Sequence, residues 1–399
     1  MQPHPTPPPA GETTARPAVA PQSPAESLDT RMPDPRIERG TCHCLFVYDI
    51  GAAIDLEQAQ QRVTDPASRE SLPHRRRAPE YFEFQPPPLR VTEMGEPFVL
   101  DRFATSAVVN CVFFDFGAVE VMYTIDIAGP MANLAALSNA LSGNAAMQAD
   151  ARRRVEHLIQ RLGPAVNKAN IAPLVEDYAI YHAESLSPAA DPQAFVDAHA
   201  MALAQILRSE GKPLSDQETH EAMSCRISYS PDDLAVIDWQ AALIIGTDVD
   251  DVRAVLEFAN VELLEMRYLD DQLDRVLDTF YKALSERRWR RSLSLHAGRT
   301  DLRRLARLQM ESAVLFEEVN NALKLLGDQF LARVYRLASQ RLHIPDWDAS
   351  ILRKLQTVES LYSKLSDFQN TRRLELLEWI IILLIAISIG IAFVPGLMH

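Results

Sequence analysis

Glycine is scarce in this chain, with 14 residues in 399. Loops that cradle phosphate need the close backbone approach that a missing Cβ permits, so the shortage counts against a nucleotide site. G-x-x-x-x-G-K-[ST], G-x-G-x-x-G and G-x-S-x-G are all missing from the sequence. Cysteine is as sparse, at four residues, which excludes a disulfide framework. Cys42-His43-Cys44 hints at metal binding, but zinc needs four converging ligands and a second closely spaced pair, and Cys111 and Cys225 stand alone. Each cysteine reads as a small buried hydrophobe, and no metal or cofactor is expected. The N-terminus lacks a basic stretch followed by an apolar run, so no secretory signal is expected.

Positive charge is also in deficit. Lys and Arg number 40 against 54 Asp and Glu, a net charge of −14 that repels nucleic acid and anionic lipid except through a local patch. One such patch is present: Arg287, Arg288, Arg290, Arg291, Arg299, Arg303, Arg304 and Arg307, with Trp289 among them. It fits a solvated helix tip, or a contact with lipid, RNA or the ribosome.

Four regions follow along the chain. Residues 1–40 are dense in proline and poor in large apolar side chains, so burial cannot offset ordering entropy and a disordered tail is expected. Residues 41–246 read as a mixed α+β domain. Its clearest strands are Cys42–Ile50, Ala107–Phe114 and Ala118–Ile125, the last two joined by the hairpin signal Asp115-Phe116-Gly117. Helices are expected over about 130–141, 145–162 and 192–210, and further strands over 174–182, 225–229 and 234–245.

Residues 247–378 change to a 3-4 spacing of apolar positions. Val249, Val252, Leu256, Ala259, Leu263, Met266, Leu273 and Leu277 form one stripe, with Asp270 as an intruder. Ile351, Leu355, Val358, Tyr362 and Leu365 carry a later one. This predicts a long antiparallel, coiled-coil-like stalk and a homo-oligomer. Residues 379–398 read WIIILLIAISIGIAFVPGLM. About 20 uncharged residues are enough to span a bilayer as a helix. Trp379, Ile380, Ile381, Ile382, Leu383, Leu384 and Ile385 would anchor it, and Ala386 and Gly390 would let helices approach closely. Arg372 and Arg373 before the span favour a single-pass inner-membrane protein with most of its mass in the cytoplasm.

Catalytic chemistry has no motif to rest on. His182, His199 and His220, with Asp177, Asp191 and Asp197, form the densest titratable group outside the stalk. They leave open a membrane-bound enzyme of unknown reaction with a site near His182 and His199, and no small-molecule substrate is identified.

A family resemblance rests on three stretches. Val112-Phe113-Phe114-Asp115-Phe116-Gly117-Ala118-Val119 resembles the F-D-[FY]-G-x-V hallmark of the "required for meiotic nuclear division" family, which includes yeast sporulation proteins and bacterial YagE-like proteins. Arg373 to Ile385 is similar to its late Arg-Leu-Glu-Trp run into an isoleucine-rich span, and Ala198 to Gln205 to its H-A-L-A-Q element. The resemblance implies an inner-membrane-anchored, self-associating protein with no established active site, linked in mitochondria to translation. Taken together, the sequence predicts a tail-anchored scaffold or assembly factor that displays a cytoplasmic α+β domain and is not catalytic.

Overall fold

In a computed structural model, residues 36–63, 86–188, 191–285, 310 and 329–393 are described. The main body is a mixed α+β fold built on a nine-stranded sheet. Its centre is β1 (Arg36–Asp49), 14 residues long. The strand starts six residues before the expected Cys42, because Ile37 is buried and pairs with both flanking strands, at Leu186 and Gly129. On one side β1 pairs antiparallel with β7 (Ala118–Asp126), then β6 (Val108–Phe113), then β3 (Leu89–Met94) at the edge. On the other side it pairs with β10 (Glu176–Ser187), which runs parallel to β13 (Ala241–Ile245). The hairpin partner β12 (Leu234–Ile237) and the short β11 (Arg226–Ile227) complete that edge. β8 (Gly129–Pro130) pairs with the start of β1. Small two-stranded pairs are made by β2 (Ala53–Ile54) with β9 (Val166–Asn167), and by β4 (Val99–Leu100) with β5 (Phe103–Ala104).

The expected β6–β7 hairpin is present and needs its glycine. Gly117 has φ +110°, and a Cβ there would lie 1.9 Å from the Gly51 carbonyl oxygen. Only a residue without a side chain lets the turn sit against the end of β1.

Alternation along the strands gives the sheet two apolar faces. Phe46, Tyr48, Val121 and Tyr123 point to one face, Leu45, Val47 and Met122 to the other. The first face is covered by α1 (Leu56–Val63), α2 (Met131–Leu141), α3 (Ala145–Leu162), α4 (Pro192–Ala198) and α5 (Ala200–Leu207), with α6 (Asp216–Ala222) beside them. In α3 the buried residues Ala151, Val155, Leu158 and Leu162 recur at three and four positions, so one stripe faces the sheet. Asn144 caps this helix by accepting a hydrogen bond from the Met147 N–H at 2.9 Å. The expected helix over 192–210 divides at His199, which lets Phe195 and Val196 on one piece and Leu203 and Ile206 on the other all reach the core.

The second face is covered by α7 (Asp250–Ser285) and α8 (Gln329–Arg341). A turn at His343, with φ +57°, leads from α8 into α9 (Ile344–Phe393), which has Pro345 in its first turn. α7 has 36 residues and is about 54 Å long. The apolar stripe read from the sequence changes partner along it. Val249, Leu256, Ala259 and Leu263 pack in the layer under the sheet, whereas Met266, Leu273 and Leu277 pack with Ile351, Leu355 and Val358 of α9. Asp270 is no defect in that stripe. Its carboxylate takes the Lys354 ammonium at 2.7 Å and the Ser350 hydroxyl at 3.1 Å.

The membrane anchor is corrected by the structure. Among the described residues no helix is long and apolar enough to cross a membrane. The transmembrane, tail-anchored and inner-membrane expectations are withdrawn accordingly. Trp379 to Ile385 are exposed on α9, and Ala386 and Gly390 lie further along the same helix.

Candidate functional site

α7 brings ionisable side chains to the sheet rather than an all-apolar stripe. Arg253, Glu257, Asn260, Glu262 and Glu265 are all buried. The reason is written in the helix: Val255, Leu256, Phe258, Ala259, Val261, Leu263, Leu264 and Met266 are apolar around its whole circumference. No solvent-facing side is left for the acids between them.

The first cluster joins α7 to β7 and β3. Arg253 donates to Glu257 through one nitrogen and to Asp250 through the other at 3.1 Å. Arg90 reaches Glu257 from the edge strand at 3.4 Å. Glu120 of β7 lies beside this network, fully buried, and neither of its carboxyl oxygens has a hydrogen-bond partner among the described residues. Burial, together with the charge of Glu257, pushes the Glu120 carboxyl up to about 8 against the pull of Arg90 and Arg253.

A second group lies at the end of β1. Burial raises Asp49 to about 7, although its carboxyl accepts a hydrogen bond from the Gly51 N–H. Glu265 of α7 is fully buried with both oxygens unpartnered, and burial plus the Asp49 charge hold it well above the carboxylate range. Glu176 of β10 pairs with Arg267, yet burial still lifts it to about 7. On the far side of α7, Tyr335 donates to Glu262 at 2.5 Å, and burial raises that carboxyl to about 8. Burial thus moves the titration of these acids up toward neutral pH or above it. Such a set can store protons and set how a helix seats.

A third knot ties the helix layers together. Asp238 follows β12 and has no exposed surface. It accepts from Arg208, at the end of α5, at 2.9 Å, and from Arg341, at the end of α8, at 2.7 Å. The two arginines are held further out by Glu218 and Glu221 of α6. Tyr178 donates to the Asp238 carbonyl at 2.8 Å.

The histidines and aspartates singled out in the sequence serve local structure. His182 shares a hydrogen bond with the Gly246 carbonyl at 2.8 Å. Asp177 lies five positions earlier on β10 and so points to the opposite face. The His199 ring packs on Phe195, with centroids 5.0 Å apart. Asp191 caps α4 by accepting from the Ala194 N–H, Asp197 pairs with Arg226, and His220 is exposed on α6. Cys42 and Cys44 have sulfur atoms 3.7 Å apart in the core under the sheet. Burial raises the Cys42 thiol, and the Cys111 thiol as well. Among the described residues no group of three or more His, Cys, Asp or Glu side chains is arranged to hold a metal ion. The arginine patch Arg287, Arg288, Trp289, Arg290, Arg291, Arg299, Arg303 and Arg304 lies outside the described residues.

The sequence reading missed the buried acids, and the signal for them was present. In Ala118–Asp126 both alternating sets are apolar, so Glu120 has no polar face to occupy. In α7 the run EFANVELLEM carries three acids within an apolar cylinder.

Comparison with known proteins sets the relationship. The family model described as "Uncharacterized protein MJ0711, N-terminal domain" matches residues 39–251. The uncharacterized protein MJ0711 of Methanocaldococcus jannaschii is 24% identical over 247 residues, covering 59% of this chain and 72% of the relative. No solved structure matches. The resemblance to the meiotic nuclear division, sporulation and YagE-like proteins is corrected by these findings. Its leading motif, Val112 to Val119, is the tight turn of the β6–β7 hairpin, where core strands require aromatic residues and Gly117 for geometric reasons. The matched region takes in the sheet and ends at Asp251, in the first turn of α7, and the chain belongs to the family of the MJ0711 N-terminal domain.

Proposed function

We propose that this protein is a non-catalytic scaffold or assembly factor, in which the α+β body carries a helical rod made by the outer part of α7 and by α9. The observation that carries this reading is the change of partner along α7. Its first part is buried under the sheet, and its second part packs on α9. The contacts advance together on the two helices. Ser350 meets Asp270, and Lys354 meets both Asp270 and Asp274 at 2.7 and 2.6 Å. α7 and α9 therefore run in the same direction, and a charged pair within an apolar seam fixes their alignment. A rod rooted in a sheet transmits position well and leaves no obvious place for chemistry. The pairing of the titratable side chains with one another, or their burial, also favours a role without catalysis.

Self-association is part of the same proposal: apolar stripes at this spacing bury themselves against another helix, of the same chain as Met266 and Leu273 do on α9, or of a neighbouring one. The test is light scattering of the full chain over a wide concentration range, together with crosslinking and mass spectrometry. A homo-oligomer with crosslinks between copies along the rod is expected. A strictly monomeric mass removes self-association. A turnover activity lost in a folded His182→Asn or His199→Asn variant replaces the scaffold reading with an enzyme.

A further inference from the structure

Three neighbouring strands each aim a carboxyl group at α7. Glu176 of β10 and Glu120 of β7 lie in one cross-strand row, both opposite Val47 of β1. Asp49 faces the same side of β1 two residues further on. α7 meets them with Glu257 and Glu265. Among the described residues the cations in the seam are Arg90, Arg253 and Arg267, three guanidinium groups against five carboxyls. Both oxygens of Glu120 and both of Glu265 are buried with no hydrogen-bond partner among the described residues. Ionised, these two acids would be unpaired charges in an apolar layer, and a helix cannot stay seated on such groups without large cost.

We propose that the seam is a pH-dependent latch, in which α7 docks on the sheet while its buried acids are protonated and loosens from the sheet as the pH rises.

Every element packed there contributes a group. Glu120 faces Glu257 and Arg253 of α7 and Arg90 of β3. Glu265 faces Asp49, and Tyr268 lies in the field of both. Glu176 faces Arg267 and its neighbour Asp177. Glu262 faces Tyr335 of α8 and Asp348 of α9. Asp250 lies at the start of α7 and is paired with Arg253.

The sign follows from linkage. In the seated helix Glu120 titrates at about 8 and Asp49 at about 7. A released carboxyl titrates near its ordinary value of about 4. Below that value both forms are protonated and pH has no effect. Between it and about 7–8 the released form sheds protons that the seated form keeps, so the opening constant rises by up to about tenfold per pH unit for each group. Above the seated values the dependence levels off. Because α7 also carries the rod, release would change how the rod is held by the body.

Hydrogen–deuterium exchange on the full chain tests this from about pH 5 to about pH 9, with rates corrected for the intrinsic pH dependence of exchange. Protection of α7 amides over 250–269 should fall by about tenfold or more per pH unit and then level off. Protection of α3, on the other face, should change far less. Glu120→Gln and Glu265→Gln should each flatten the α7 profile, and the double variant should flatten it most. Where a variant does not fold, infrared spectroscopy of the unaltered chain gives an independent reading. The carbonyl band of protonated carboxyl groups should be present at neutral pH and fade in alkali. PH-independent protection of α7, unchanged profiles in folded variants, or no such band at neutral pH overturns the latch.

Discussion

The two faces of the central sheet solve the same burial problem in opposite ways. Under the face covered by α3 and α5, the hydroxyls that reach the core find partners. Tyr123 donates to Asp150 at 2.7 Å, Tyr48 to the Gln148 carbonyl at 3.1 Å, and Ser138 to the Ile206 carbonyl at 2.5 Å. Between these contacts the packing is aliphatic and aromatic. Under the face covered by α7 the burial is as complete, but carboxyl groups are left inside. An unpaired buried acid removes part of what the surrounding apolar area contributes. The first face is therefore the stable half of the body. The second is conditional, because its free energy depends on protonation.

Asp238 lies where the two helix layers meet, so its loss should have the largest effect. It holds Arg208 from the α5 side and Arg341 from the α8 side, and both guanidinium groups are about nine-tenths buried. Asp238→Ala removes the buried carboxylate from two mostly buried cations and leaves them only the exposed Glu218 and Glu221, which should cost about 3–5 kcal/mol in urea unfolding. If the loss is confined to one layer, exchange protection will fall in only α5 or α8, and Asp238 is not the joint between the faces.

A matched pair of cavities sharpens the contrast. Leu158 of α3 and Leu264 of α7 are both essentially buried, one on each face. Leu→Ala substitutions in cores cost roughly 2–5 kcal/mol, with the spread set by how far the site can collapse. Leu158→Ala should fall near the top of that range and Leu264→Ala near the bottom, since α7 is the more easily displaced helix. Equal costs would break the comparison between the faces.

Much of this contrast was within reach of the sequence, and the remainder shows why pattern alone falls short. The strands rich in β-branched and aromatic residues, the Asp115-Phe116-Gly117 turn and α3 follow from local chemistry and lie close to where they were expected. The division at His199 did not, because it serves the packing of two helical pieces against residues distant in the chain. The stripe on α7 was read correctly as buried, but periodicity cannot say whether its partner is a sheet or a helix, and here it is both. Site reasoning went to histidines and cysteines because those side chains most often carry acid–base and metal chemistry. The groups with displaced titration are acids, which are ordinarily solvent-facing and become unusual only when no polar face remains for them.

Glu262 offers a smaller and cleaner test of the conditional face. It is buried on the side of α7 away from the sheet, takes the Tyr335 hydroxyl, and titrates at about 8. The native state keeps this proton where the unfolded chain, at about 4.5, has lost it. Stability must therefore fall as pH rises between these values, by at most about 1.4 kcal/mol per pH unit for this group. Glu262→Gln keeps an acceptor for Tyr335 and removes the titration. The variant should match the original protein near pH 4.5 and exceed it increasingly up to about pH 8 in paired denaturation curves. A difference that does not change with pH would show that Glu262 is already ionised in the fold.

The smallest effect is expected where the rod leaves the body. Lys354 bridges Asp270 and Asp274, but the Asp274 side chain is 59% exposed, so solvent screens that half of the contact. A double-mutant cycle of Asp270→Ala and Lys354→Ala should give a coupling of about 0.5–1 kcal/mol, in the range of partly exposed pairs. The role of the pair is alignment, not strength. A polar group within an apolar seam costs stability and excludes shifted pairings. Replacing Asp270 and Lys354 together by leucine should thus leave the rod as stable or more stable, while crosslinks between α7 and α9 spread over several offsets instead of one. If the leucine variant keeps a single offset, the apolar residues alone set the register. The charged pair then adds nothing to how the outer half of α7 differs from the half beneath the sheet.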